Sequence, residues 1–246
     1  MLDSVATSSG QVFRFDVDSL YEAYAERFGP HPKVSKENQG LVGRVKRALS
    51  WIARAKNLSD ARSDIGTDLQ GEFIGLWISF NALYGSAKKL RRDEWMEIDS
   101  YLGKIVQVDG DDLLVHTVLK CCKKKVGNIL KDEFLWGEYW ETEDKISGIR
   151  KELNSRLSDC YDQEGNAKIE FLLKTLFGRI YFLRNMKFHG NTTDRRSPIK
   201  DSLRDAVEVL DSLTRSFVLI MVRKAKPGDW NPLPFPWKDS PQHPSH

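Results

Sequence analysis

Residues 169–183 read Ile169-Glu170-Phe171-Leu172-Leu173-Lys174-Thr175-Leu176-Phe177-Gly178-Arg179-Ile180-Tyr181-Phe182-Leu183. Ile169, Leu172, Leu173, Leu176, Phe177, Ile180 and Leu183 recur with the period of an α-helix that buries one face, and strand alternation does not fit them. Leu203, Val207, Leu210, Leu213, Phe217 and Ile220 repeat the pattern downstream, across a polar segment from Gly190 to Pro198. Two such helices joined by a polar connection are expected to pack as an antiparallel pair. The expected fold class is all-α, an antiparallel helical bundle.

Upstream the same periodicity continues. From Asp68, the positions Leu69, Phe73, Leu76, Trp77, Phe80, Leu83 and Tyr84 make a helix that is apolar around much of its circumference, which belongs at the centre of a bundle. Before it, Val45, Ala48, Leu49 and Ile52 alternate with Arg44, Lys46, Arg47 and Arg54, an amphipathic helix whose basic face is expected in solvent. Residues 93–106 and 111–131 read as two further helices, parted by the turn-forming Asp109, Gly110 and Asp111. The aromatic cluster Phe134, Trp136, Tyr139 and Trp140 leads into a helical stretch from Asp144 to Leu157, and Asp162 to Asn166 reads as a loop. Residues 1–34 form an amino-terminal arm, in which Phe13, Phe15 and Val17 alternate and Ser19 is placed to cap a short helix ending before Gly29, Pro30 and Pro32. Residues 35–225 are the helical domain. Residues 226–246 are a Pro/Trp-rich tail that holds six of the nine prolines and is expected to be extended.

Composition narrows the function classes. Lysine and arginine number 38 against 35 acidic residues, so net charge by itself does not point to nucleic acid. Cys121 and Cys122 are adjacent and Cys160 stands alone, which matches a reducing compartment and no disulfide framework. Met1 to Gly10 lacks a basic region followed by an apolar run, and the apolar stretches Phe73 to Tyr84 and Phe217 to Val222 fall short of the ~20 residues that span a bilayer. A cytoplasmic chain with no membrane partner is expected. His116 lies near Cys121 and Cys122, but adjacent cysteines chelate one ion poorly, so neither a metal nor another cofactor is expected. A phosphate-binding Gly-rich loop, a GxSxG elbow and an HExxH pair are all absent from the sequence.

The segment that carries chemistry is Arg184-Asn185-Met186-Lys187-Phe188-His189-Gly190. Gly190 suits the position just past a helix end, which puts His189 in the last turn. At helical pitch Asn185 and His189 stand about 40° apart, whereas Arg184 and His189 stand about 140° apart, so the length of arginine, a frayed end or a second subunit must bring that pair to one phosphate. Histidine titrates near neutrality and can take the proton of a ribose 2′-hydroxyl, while arginine stays charged and presents a fork of donors to phosphate oxygens. A helix carboxyl end favours protonated His189 and Arg184 opposes it. The blander reading makes His189 a helix cap and Arg184 a surface ion-pair partner.

An arginine, a polar residue, three variable residues and a histidine resemble the motif of the HEPN ribonucleases, matched here by Arg184, Asn185 and His189. The run Trp77-Ile78-Ser79-Phe80-Asn81-Ala82-Leu83-Tyr84-Gly85 is similar to the central helix of Apea-like HEPN domains, and the resemblance covers roughly residues 40–224. It implies a metal-independent endoribonuclease, an RNA substrate, a homodimer in which two motifs share a cleft, and a role in a toxin–antitoxin or antiviral defence system with an antitoxin or other protein partner. Some members have lost catalysis, so a noncatalytic helical module for dimerisation or RNA binding is the alternative. Lys120, Lys123 to Lys125 and Lys131, and also Lys88, Lys89, Arg91 and Arg92, offer phosphate contacts or simply solvated faces. Trp230, Phe235 and Trp237 in the tail either dock a partner or pack on their own domain.

Overall fold

The computed structural model describes residues 15–32, 35, 37–60, 68–85, 93–136, 148, 151, 154–155, 158, 166–188 and 200–230. Every regular element among them is helical, and no described helix is long and apolar enough to cross a membrane.

The first helix, α1, spans Val17–Phe28. Its cap is Asp16 rather than Ser19: the carboxylate accepts from the backbone N–H groups of Asp18 at 2.8 Å and Ser19 at 3.0 Å. A carboxylate there meets both the orphan N–H groups and the positive end of the helix dipole, and Val17 becomes a buried first-turn residue instead of part of a strand-like alternation. Gly29, at φ 86°, ends the helix in a conformation that glycine adopts without strain. Val17, Leu20 and Tyr24 are buried against the bundle.

Helix α2 spans Gln39–Asp60 and α3 spans Leu69–Tyr84, the latter capped by the Asp68 carboxylate on the Gly71 N–H at 2.8 Å. The two pack closely. A Cβ on Gly75 would lie 3.3 Å from the Ala55 Cβ, and the Ser79 hydroxyl donates to the Ala48 carbonyl at 2.8 Å. The basic face expected on α2 is not all in solvent, because Arg44 is buried and donates to the carbonyls of Leu83, at 3.1 Å, and Gly85. The carboxyl end of α3 presents orphan carbonyls over this position, and the guanidinium satisfies them.

Helix α4 spans Glu94–Val108 behind its cap, Asp93. The stretch expected to be one helix over 111–131 is instead divided. A short α5, Leu113–His116, runs into a π-turn, Thr117–Cys121, and α6 begins at Lys123 and ends at Lys131. The Cys122 N–H reaches the Thr117 carbonyl at 2.9 Å, one residue farther back than α-helical pairing, while the Thr117 hydroxyl meets Ser216 Oγ at 2.9 Å. Described positions 148, 151, 154, 155 and 158 are exposed, the first four within the expected helical stretch; Tyr139, Trp140 and residues 162–165 lie outside the described residues.

Helix α7 spans Asn166–Phe188 and α8 spans Lys200–Lys224. Every apolar stripe position read from the sequence in these two helices is buried. Among the described residues the closest backbone packing of α7 is on α4 and α6, and that of α8 is on α3, α6 and α1, so the two expected partners approach each other mainly through their side chains. Their stripes meet through rings, with Phe177 and Phe217 5.9 Å apart and both against Phe80 of α3. Phe80 joins this cluster from a third helix, which α3 can supply because it is apolar on more than one side. A single turn, Pro227–Asp229, follows α8 and leads to Trp230, which is buried beside Tyr101.

Candidate functional site at the end of helix α7

Ile180 and Leu183 fix the last described turns of α7 in the core, and that anchoring turns Arg184 toward α3 and the start of α4. Its guanidinium lies 5.8 Å from the Trp77 ring centroid and 5.9 Å from that of Tyr181. Arginine stacks readily on aromatic faces, so these rings restrict where the fork of donors points. Arg184 Nη1 donates to Asn185 Oδ1 at 2.8 Å and lies 3.6 Å from Glu94 Oε2. Two of the residues singled out from the sequence are therefore in direct contact. The third, His189, lies outside the described residues, as does Gly190.

Glu94 and Tyr84 are additions that sequence reading did not single out as site residues. Glu94 occupies the first turn of α4, where orphan N–H groups and the helix dipole favour an anion. Its Oε1 accepts a hydrogen bond of 2.8 Å from the Tyr84 hydroxyl. Burial, reinforced by the negative charge of Glu94, pushes the Tyr84 phenol far above its usual range, so the hydroxyl stays protonated and keeps donating. One carboxylate thus bridges a buried phenol and a guanidinium, with Arg184 and Glu94 side chains 23% and 22% exposed. An acidic residue opening a helix is too common to mark a site, although Tyr84 belongs to the Trp77 to Gly85 run already noted.

Tyr84 also forms one wall of a neighbouring pocket of about 160 Å³, lined with Arg44, Glu97, Tyr101, Lys104 and Trp230 among others. Its cations have intramolecular partners: Arg44 binds the carbonyls at the end of α3, and the Lys104 ammonium sits 4.1 Å from the Trp230 ring centroid and donates to the Asp229 carbonyl. His116 Nδ1 and Cys121 Sγ approach to 3.4 Å, but among the described residues no group of three potential ligands forms around them. Cys122 is buried and Cys160 lies outside the described residues. Lys120, Lys123, Lys124 and Lys131 are exposed, whereas Lys125 pairs with Glu208 of α8; residues 86–92, with the second basic run, lie outside the described residues.

Comparison of the chain with protein-family models, curated proteins and solved structures finds no match. The class is accordingly defined by what the fold and the cluster display: an all-helical protein with a partly exposed arginine, framed by aromatic rings and one carboxylate, at the carboxyl end of a long core helix.

Proposed function

We propose that this protein is a metal-independent endoribonuclease of the HEPN type, acting as a homodimer. The observation that carries the reading is Arg184: a partly exposed side chain whose guanidinium is hydrogen-bonded to Asn185 at the end of α7, in the same short segment as His189. A charged, oriented fork of donors at such a position is suited to a phosphate. In the proposed reaction His189 takes the proton of a ribose 2′-hydroxyl, whose oxygen attacks the adjacent phosphorus. The bond from phosphorus to the 5′-oxygen breaks, and that oxygen takes up a proton from solvent water to become the 5′-hydroxyl. Arg184 stabilises the charge on the pentacoordinate phosphorus, with Asn185 orienting it. The products are a 2′,3′-cyclic phosphate and a 5′-hydroxyl; DNA, which lacks the 2′-hydroxyl, is not cut. Two subunits facing each other would supply Arg184 and His189 to one phosphate despite their separation around the helix. Cutting cellular or foreign RNA in a toxin–antitoxin or antiviral system, with a partner protein, is the role this reading suggests.

The pairing of Arg184 with Glu94 favours a second reading, a noncatalytic module for dimerisation or RNA binding, because a partnered arginine also serves structure alone. Incubating the purified protein with mixed single-stranded RNA in excess EDTA, beside His189→Ala, separates the two. The nuclease gives 2′,3′-cyclic phosphate ends, identified by mass spectrometry, that vanish in the variant. A binding module retains RNA and leaves it intact in both proteins.

A further inference from the structure

Resting on the reading of Arg184 as a phosphate ligand, we propose that Glu94 is its positioning residue and internal counter-ion, held by Tyr84 and exchanged for an RNA phosphate when substrate binds. Three observations meet here. Glu94 Oε2 is 3.6 Å from Arg184 Nη1, longer than a tight charge-assisted hydrogen bond, so the pair orients the guanidinium through a loose contact that another anion can replace. Glu94 Oε1 is tied to the buried Tyr84 hydroxyl at 2.8 Å, so the carboxylate stays in place when the arginine turns to another anion. The two side chains are 23% and 22% exposed, so the ion pair borders solvent, the side from which a phosphate would compete with the carboxylate.

The arrangement has a defined consequence. An incoming phosphate competes with a fixed carboxylate for one fork of donors, so Glu94 weakens ground-state binding while holding Arg184 ready for the more highly charged pentacoordinate state. A group that favours the transition state over the ground state in this way raises kcat and also raises KM. It also disfavours weak anions, which cannot displace the carboxylate as a polyanionic RNA chain can.

The test is a double-mutant cycle in the non-cleaving His189→Ala background, reading the affinity for a fluorescent single-stranded RNA at fixed, low salt. Glu94→Gln keeps an oxygen for the Tyr84 hydroxyl and removes the charge, so the variant folds as the parent does, which its thermal midpoint verifies. Expected is a tightening of about 2- to 5-fold, the range of a partly exposed ion pair. Arg184→Ala weakens binding, and adding Glu94→Gln to it has little further effect. With His189 restored, Glu94→Gln lowers both KM and kcat. Glu94→Asp, which keeps the charge on a shorter side chain, returns the affinity toward the parent. Equal tightening with and without Arg184 overturns the proposal, because it means that Glu94 repels RNA generally; so does a Glu94→Gln variant that binds as the parent while Arg184→Ala binds less well. If Arg184→Ala leaves RNA affinity unchanged, or no variant binds RNA, the reading of the site falls and this proposal falls with it.

Discussion

Arg44 shows how a basic residue at the edge of an apolar stripe can be buried. At helical pitch it stands about 40° from Ala48, at the edge of the apolar stripe, whereas Arg47 and Arg54 stand on the far side; it is buried and caps α3, and burial lowers its guanidinium pKa to about 10. Arg44→Met keeps the aliphatic stem but leaves the Leu83 and Gly85 carbonyls without this donor. The expected loss is about 1–3 kcal/mol of stability, measured by urea denaturation with an unchanged m value. Arg184 and Asn185 behave differently. Both were legible as candidates because their types and spacing carry chemistry, and the structure puts them in contact. Glu94 was not legible, since what makes it a site residue is its approach to a side chain on another helix.

At the scale of elements, α3 was readable because an apolar surface on more than one side requires neighbours on more than one side. Phe80 meets the rings of Trp77, Tyr84, Tyr101, Phe177 and Phe217 at centroid distances of 4.5–5.9 Å. The crossing with α2 depends on the missing side chain of Gly75, whose Cβ position lies 3.3 Å from the Ala55 Cβ and 3.6 Å from its Cα. Gly75→Val therefore forces two helices apart, with an expected cost of about 1–3 kcal/mol and a lowered thermal midpoint. The π-turn between α5 and α6 escaped sequence reading because one extra residue leaves the apolar pattern on both sides almost intact. Its position is tied to Ser216 through the Thr117 hydroxyl, a contact from outside the local chain.

Over the whole molecule, buried phenols make stability sensitive to alkali. Burial raises the Tyr24 pKa from the usual 10 to about 12 and pushes Tyr84 and Tyr101 upward as well. Below about pH 10 the folded and unfolded chains both hold these protons, and the contribution is fully present. Above it the unfolded chain ionises first, so stability falls progressively as the pH rises through about 12. Denaturant titrations at increasing alkaline pH, with tyrosinate absorbance followed in parallel, are expected to show falling midpoints and ionisation of these phenols lagging behind the exposed ones.

The sequence by itself determined the all-helical class, the buried faces of α3, α7 and α8 and the candidacy of Arg184, because periodicity and side-chain chemistry are properties of a short stretch of chain. It did not determine which face meets which. Two good stripes, on α7 and α8, are equally satisfied by each other or by other helices, and hydrophobic burial carries no direction that would distinguish the two. Only the tertiary structure decided that Phe80 of α3 joins Phe177 and Phe217 in one ring cluster, that Arg44 sits under the end of α3, and that the first turn of α4 brings a carboxylate to Arg184. Each of these depends on three-dimensional packing, where distance along the chain no longer measures distance in space.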